Sequence, residues 1–409
     1  FWLKVSSAAF APPCDAVPEE GSMSDSEGEN EVVDLSSPDV TTKYKTSAEI
    51  ANKALQAVIA GCIDGADICT LCELGDGIVL EETGKLYNKK VKDRKIEKGV
   101  AFPTCISVNE FVGHFSPLKT ESRALKAGDI VKVDLAVHID GYIAAAAHTM
   151  VISEEKVEDR RADVFHAAYT AAEAALRLVQ PGNKNTQVTE AFSKAAAEFN
   201  CKPVAGVKSH QLKRHVIDGE RCIPSVVGPE EKVEEFTFEL NEVYCIDVVM
   251  STGEGKSREA ELRSTVFKRA VETSYNLKTQ KARQFISEVN RRFPALPFTL
   301  RAIEEPQVAL IGVSEAKRHE LLEEYPVLKE KAEEFVAQFK FTVLLLPGGT
   351  KKITGLPFGD AEKRIVSACE VKDEELKKLL ASSANPKKNK KKAKKGGEAA
   401  PKEGEEKEN

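Results

Sequence analysis

The run VKVDLAVHIDGYIAAAAHT (131–149) constrains the fold more than any other part of the chain. Val131, Val133, Leu135 and Val137 alternate with Lys132, Asp134, Ala136 and His138, which is the two-residue period of a strand. Asp140-Gly141 then supplies the dipeptide that closes a tight two-residue turn, so the segment reads as an antiparallel hairpin. FTVLLLP (341–347) reads as a further buried strand. Helical patterns flank the hairpin. Ile50, Ala51, Ala54, Leu55, Val58 and Ile59 recur at i, i+3, i+4 spacing, with Thr46 and Glu49 placed as a capping box. A second helix is expected over Leu71 to Leu86, ahead of the basic loop NKKVKDRKIEKG (88–99). Two Ala-rich helices are expected at about 158–178 and 185–199, separated by the stop signal Gln180-Pro181-Gly182-Asn183. Helix, helix, hairpin, helix, helix and further strands fit an α/β (α+β) body of two halves closing on a central cleft.

Composition agrees with one large body carrying loose ends. The chain is 42% hydrophobic and 30% charged, and no apolar run approaches the ~18 residues that a membrane helix needs. Its nine cysteines are scattered and odd in number, which argues against a disulfide framework. Cys69-Thr-Leu-Cys72 lies in an apolar helical pattern and reads as core packing. Residues 1–40 are expected to be a disordered, acidic, Ser-rich segment, of which 1–22 read as a leader ahead of Met23. Residues 41–383 form the expected folded body, and 384–409 a disordered Lys-rich tail.

Six segments carry a resemblance. AFPTCISVNEFVGHFSPL (101–118), GDIVKVDLAVHIDGYIA (128–144), SHQLKRHVIDGER (209–221), YCIDVVMSTGEGKSRE (244–259), RRFPALPFTLRAIEE (291–305) and AQFKFTVLLLPGG (337–349) resemble the proliferation-associated, ErbB-receptor-binding protein family. That family comprises the non-catalytic relatives of type 2 methionine aminopeptidases. The resemblance implies the pita-bread fold of those enzymes, with an inserted helical subdomain at about 256–335.

It also implies where a metal pair would sit, and this chain departs from that pattern. Asp134, His210 and Asp247 stand at three of the five ligand positions. Ala145 stands where a bridging Asp belongs, and Lys340 where a bridging Glu belongs. Two hard divalent ions within about 4 Å of each other need bridging carboxylates to offset their repulsion. A methyl group and an ammonium at those positions shift the local charge the wrong way, and Lys340 becomes a fixed monovalent stand-in drawn to Asp134 and Asp247. His114 matches a pocket histidine of the enzymes, whereas Asp218 stands where they have a second one. The expectation is a vestigial pocket with no catalytic residues, no metal and no cofactor.

Charge supplies the candidate binding surfaces. Between 256 and 301 the chain carries Lys256, Arg258, Arg263, Lys268, Arg269, Lys278, Lys281, Arg283, Arg291, Arg292 and Arg301 against Glu259, Glu261, Glu272 and Glu288, while the whole chain has net charge −6. With Tyr275, Phe285 and Phe293 interleaved, this stretch suits an RNA backbone, or else a solvated helix docked through Phe285, Ile286 and Val289. Lys387, Lys388, Lys390, Lys391, Lys392, Lys394 and Lys395 form a second basic block, suited to RNA contact and to a nuclear address. Leu376, Leu379 and Leu380 make an L-x-x-L-L turn that either seals the last helix or docks in a partner's groove. The expected function is a pseudo-aminopeptidase that binds ribosomal RNA and ribosomal particles in ribosome biogenesis, translation and growth regulation. It would work in the cytoplasm and nucleus or nucleolus, without a membrane. A residual metal-dependent methionine aminopeptidase and a nuclear transcriptional co-regulator remain as alternatives.

Overall fold

The hairpin forms where its alternation places it. Strands Ile130–Ile139 and Tyr142–Val151 pair in register about Asp140 and Gly141, whose φ angles of 55° and 79° give the left-handed turn that matches strand twist. In this computed structural model, which describes residues 34–90, 94–228 and 233–384, the hairpin lies inside an antiparallel sheet. The order is Lys98–Val108, Ile130–Ile139, Tyr142–Val151, Val336–Leu346, Val243–Ser251, Lys208–Gln211, Cys222–Pro224. Lys202–Pro203 and Gly349–Lys352 add short flanking strands.

Helices cover this sheet in two pairs. α1 (Pro38–Gly61) and α2 (Ile68–Gly84) lie against the first three strands, where Leu55, Val58 and Ile68 meet Val131, Val133, Leu135 and Val137. α3 (Arg160–Leu178) and α4 (Asn185–Glu198) lie against the other half, where Phe165, Ala168 and Phe192 meet Tyr244, Ile246 and Phe341. The Ala runs of α3 let it seat closely, burying ten of its residues. Cys69 and Cys72 are buried in α2, as core packing requires.

Two local expectations fail at the N-terminal side. α1 begins at Pro38, so Thr46 and Glu49 lie inside it and form no capping box. Pro38 is pre-set for a first helical turn, and Leu35, Val40 and Tyr44 bury in a cluster with Tyr142 and Ile143, which gives this part of the acidic segment the apolar anchor that composition hid. The rest of that segment (1–33) and the tail lysines from Lys387 to Lys395 lie outside the described residues.

Residues 256–335 hold two helices, α5 (Gln280–Arg292) and α6 (Pro306–Arg318), together with strands. Val266–Arg269 pairs with Phe298–Thr299 and with Leu322–Tyr325, and the helices pack beside them around Phe267, Phe285, Phe298 and Leu321. The helices approach so closely at Gly312 that a Cβ there would lie 2.3 Å from the Cβ of Phe285. The chain ends, among the described residues, with α7 (Glu374–Ala381), capped by Asp373.

Candidate functional site: a cleft built around an ammonium

Sheet register assembles the site. Asp134 pairs with Ala147, Ala147 with Lys340, and Lys340 with Asp247, so one row across four strands places two carboxylates and an ammonium on one face. The next row brings Ala136 opposite Ala145, and Thr342 opposite Cys245, which in turn faces His210. All of these except Ala147 and Thr342 line a cleft of about 250 Å³ together with His114, Tyr325, Asp218 and Gln338. All six positions expected in a vestigial pocket therefore meet in one place.

Lys340 occupies its centre. Its Nζ lies 2.5 Å from Asp134 Oδ2 and 3.1 Å from Asp247 Oδ2. Gln338 Nε2 donates to Asp247 Oδ1 at 2.8 Å and to Asp134 Oδ2 at 3.4 Å. Asp134 Oδ1 is buried with no partner among the described residues. Burial by itself would lower the Lys340 ammonium, but Asp134 and Asp247 outweigh it and lift Lys340 well above the ordinary lysine range. The amine is therefore charged at any physiological pH.

The two histidines of the cleft are held neutral. Burial and the nearby Lys340 lower both His114 and His210. His114, at φ 66°, donates from Nδ1 to the Pro326 carbonyl at 2.9 Å and stands edge-on to Tyr325 with ring centroids 5.4 Å apart. His210 Nδ1 is buried without a partner among the described residues. Asp218 faces the same cleft and is bound by Lys268, whose Nζ lies 3.0 Å from Asp218 Oδ2. Gln338 was not singled out from sequence, although its place two residues before Lys340 on one strand already put it on the same face. Tyr325 and Phe102 carried no such signal.

Residues 42–266 match the metallopeptidase family M24. A protein of Solanum tuberosum named "ERBB-3 BINDING PROTEIN 1" is 49% identical over 381 residues, 93% of this chain and 97% of its own length. The chain belongs to the ErbB-3-binding, proliferation-associated branch of family M24. A Schizosaccharomyces pombe relative named "Curved DNA-binding protein" is 38% identical over 87% of this chain and 93% of its own length. The solved structure of a thermophilic Arx1 superposes with a TM-score of 0.79 at 30% identity, covering 85% of this chain and 99% of that one. The fold is thus the pita-bread architecture that the resemblance implied.

A metal pair of the kind that names family M24 does not fit these residues. The two carboxylates that remain are spent on the Lys340 ammonium, and Ala145 presents only a methyl group. Among the described residues no group of three or more His, Cys, Asp or Glu is arranged to hold a metal ion.

The cations of the 256–301 stretch are distributed less simply than its charge count implies. Residues 302–335 bring nine Glu against four Lys or Arg, and several of those Glu fold back onto it. Lys268 reaches Glu323 as well as Asp218, Arg263 pairs with Glu121, Arg291 with Glu304 and Arg292 with Glu288. Arg269 donates to the carbonyls of Ala270, Leu321 and Thr273, and Arg283 to those of Leu277 and Lys278. Lys281 donates to Gln307. Arg301 is almost buried, 2.9 Å from Asp76 on α2, and ties this subdomain to the body. Lys256, Arg258 and Lys278 are exposed, and their side chains make no hydrogen bond or ion pair among the described residues. Of the aromatics, Phe285 is wholly buried, Phe293 stacks on Phe298, and Tyr275 stacks on His319 at 3.6 Å. Phe285 is therefore core, because α5 docks through it with Ala282 and Val289. In α7, Leu376 is buried, and Leu379 and Leu380 pack partly buried against the same cluster as α3.

Proposed function

We propose that this chain is a non-catalytic M24 protein that binds RNA and ribosomal particles, in the cytoplasm and the nucleus or nucleolus, and acts in ribosome biogenesis, translation and growth regulation. The observation that carries the non-catalytic part is the Lys340 ammonium held between Asp134 and Asp247. A two-metal peptidase activates water by binding it to cations, and here a fixed ammonium neutralises the carboxylates that would hold them. An ammonium has no open coordination position with which to acidify water.

Support for nucleic-acid contact comes from the exposed Lys256, Arg258 and Lys278, from the seven lysines from Lys387 to Lys395, and from the name of the S. pombe relative. Fixed cations select a position on structured RNA, while a block of consecutive lysines adds charge, and so affinity, with little selectivity. The test is co-sedimentation with ribosomes over a salt series. Lys256→Glu, Arg258→Glu and Lys278→Glu together should abolish association with the tail intact, and deletion of 385–409 should weaken all RNAs alike and flatten the salt dependence. Lys268 and Arg269 are unsuited to this test, because their reversal would break internal pairs. A triple variant that sediments with ribosomes like wild type would refute the reading.

A further inference from the structure

Two basic segments far apart in sequence face each other across one groove. One wall is Lys95 to Lys98 with Val100, where the chain enters the first strand of the sheet. The other is Arg291 to Leu296, the end of α5 and the residues after it. His138 and His215 complete the lining, and the space is about 430 Å³. A neighbouring cavity of about 260 Å³ shares Lys98, Val100, His138, Arg292 and Phe293, so the groove continues along the seam between body and subdomain.

Its cations outnumber its anions, although Arg292 is held 2.6 Å from Glu288 on its own helix. Lys95, Lys98, Arg291 and Arg292 line the groove against the single carboxylate of Glu97. Lys98 donates to the Leu86 carbonyl and to Asn88 Oδ1, both uncharged, and no carboxylate within salt-bridge distance of Lys95 or Lys98 is present among the described residues. Burial and the charge of Lys95 push the Lys98 amine below its ordinary value. Arg291 reaches Glu304 only at 3.4 Å, across the open surface. The Gly141 amide donates to His138 Nδ1 at 3.3 Å, which leaves Nε2 as the protonated nitrogen of a ring held neutral by burial. The excess of cations continues past the groove. His215 accepts no acid closer than Glu97 at 3.9 Å, its amide bonds the Gly141 carbonyl, and at that turn Arg94, Arg214 and Lys43 all converge on Asp140.

We propose that this groove seats the phosphate backbone of a single-stranded RNA segment. The inference rests on the RNA-binding function proposed above and names its fixed surface. A single strand can bend so that successive phosphates follow a line of cations along a concave seam, whereas a rigid A-form duplex meets such a seam with one backbone only. A free phosphate ligand would satisfy one end only, since cations extend from Arg291 and Arg292 through Lys95 and Lys98 to Arg94 and Arg214.

The test is fluorescence anisotropy of the full chain with a labelled oligouridine about a dozen nucleotides long, at several ionic strengths. Lys95→Glu with Arg291→Glu is the perturbing variant, both side chains being exposed; Lys95→Arg with Arg291→Lys is the conservative one. Lys363→Glu, at an exposed pair with Asp360, is the control. The reversed pair should bind at least about tenfold more weakly, with a salt slope shallower by about 1.4, two single-strand phosphate contacts having been lost. The conservative variant and the control should bind like wild type. If wild type binds and the reversed pair binds equally well, the groove is overturned while the RNA function stands. If wild type binds neither oligouridine nor ribosomes, both fall. Displacement by uridine monophosphate at the affinity of the oligomer would overturn the RNA chain as the occupant in favour of a free phosphate ligand.

Discussion

Removing the Lys340 ammonium should cost more than any exposed ion pair in the molecule. Its side chain is 13% exposed and those of Asp134 and Asp247 12% each, so Lys340→Ala leaves two buried carboxylates facing one another without a cation. Breaking a buried pair from one side costs about 3–5 kcal/mol, because the desolvation penalty of the orphaned charge remains. With an unfolding entropy of about 2.1 cal/mol/K per residue, the described body gives roughly 0.7 kcal/mol/K, so a loss of about 4 kcal/mol lowers the melting midpoint by about 5 °C at pH 7. The pH dependence separates this cause from lost packing. In the variant the Asp134 carboxyl, which burial already raises, loses the ammonium that opposes the rise, so the folded variant binds an extra proton and its deficit against wild type shrinks on acidification. Wild type behaves oppositely at the other end: Lys340 is raised above 10.5, so its contribution is complete below that value and is lost as pH rises through the folded value. Melting curves by circular dichroism at pH 7 and pH 5, for wild type, Lys340→Ala and the neutral triple variant Lys340→Met, Asp134→Asn, Asp247→Asn, decide the matter. The triple variant should regain most of the loss. A deficit under about 1 kcal/mol that is the same at both pH values would show that the ammonium is not the internal counter-charge.

Wild-type protein should release no Met from a Met-Ala-Ser peptide with added cobalt or manganese, while Ala145→Asp with Lys340→Glu should gain divalent-ion uptake by titration calorimetry; turnover by wild type that disappears in His210→Ala would contradict this. Stability should fall as pH drops from about 6.5, because burial lowers His114, His138, His210 and His215, with His138 at about 4, so the unfolded chain binds more protons across that window. Each unit of lowering is worth about 1.4 kcal/mol, and urea unfolding that is flat from pH 7 to 4.5 would refute the assignment. Gly312→Ala should destabilise by about 1–3 kcal/mol through overlap with Phe285, and Phe285→Leu in the same chain should recover part of it; strict additivity in denaturant unfolding would argue against the contact.

What the sequence disclosed and what it withheld divide along the range of the interactions. Alternation at 131–149 gave the hairpin and its turn, because strand period and turn chemistry are local. It could not tell that both faces are buried, since alternation says which residues share a face and nothing of what covers it. Lys132, a polar position in the pattern, is 1% exposed and donates to the Asn109 carbonyl at 2.7 Å. The cleft was legible because Asp134, His210, Asp247 and Lys340 sit in ordered motifs, and register then carried them onto neighbouring rows. Phe102 and Tyr325 were not, because tertiary packing alone brings them to the cleft.

Charge shows the same limit more sharply. A net count over 256–301 is a sum along a line, whereas the potential at a surface depends on which carboxylates fold against it. Lys268 is paired through Asp218, fifty residues earlier, and through Glu323 on a neighbouring strand. The count therefore overstated the cations nearest the cleft. It also missed Lys95, which belongs to a loop nearly two hundred residues before Arg291 and lies across the same groove. A basic surface assembled from two such segments depends on the docking of the subdomain, which Arg301 secures by its bond to Asp76. Weakening that bond should then loosen RNA binding without touching a single groove cation.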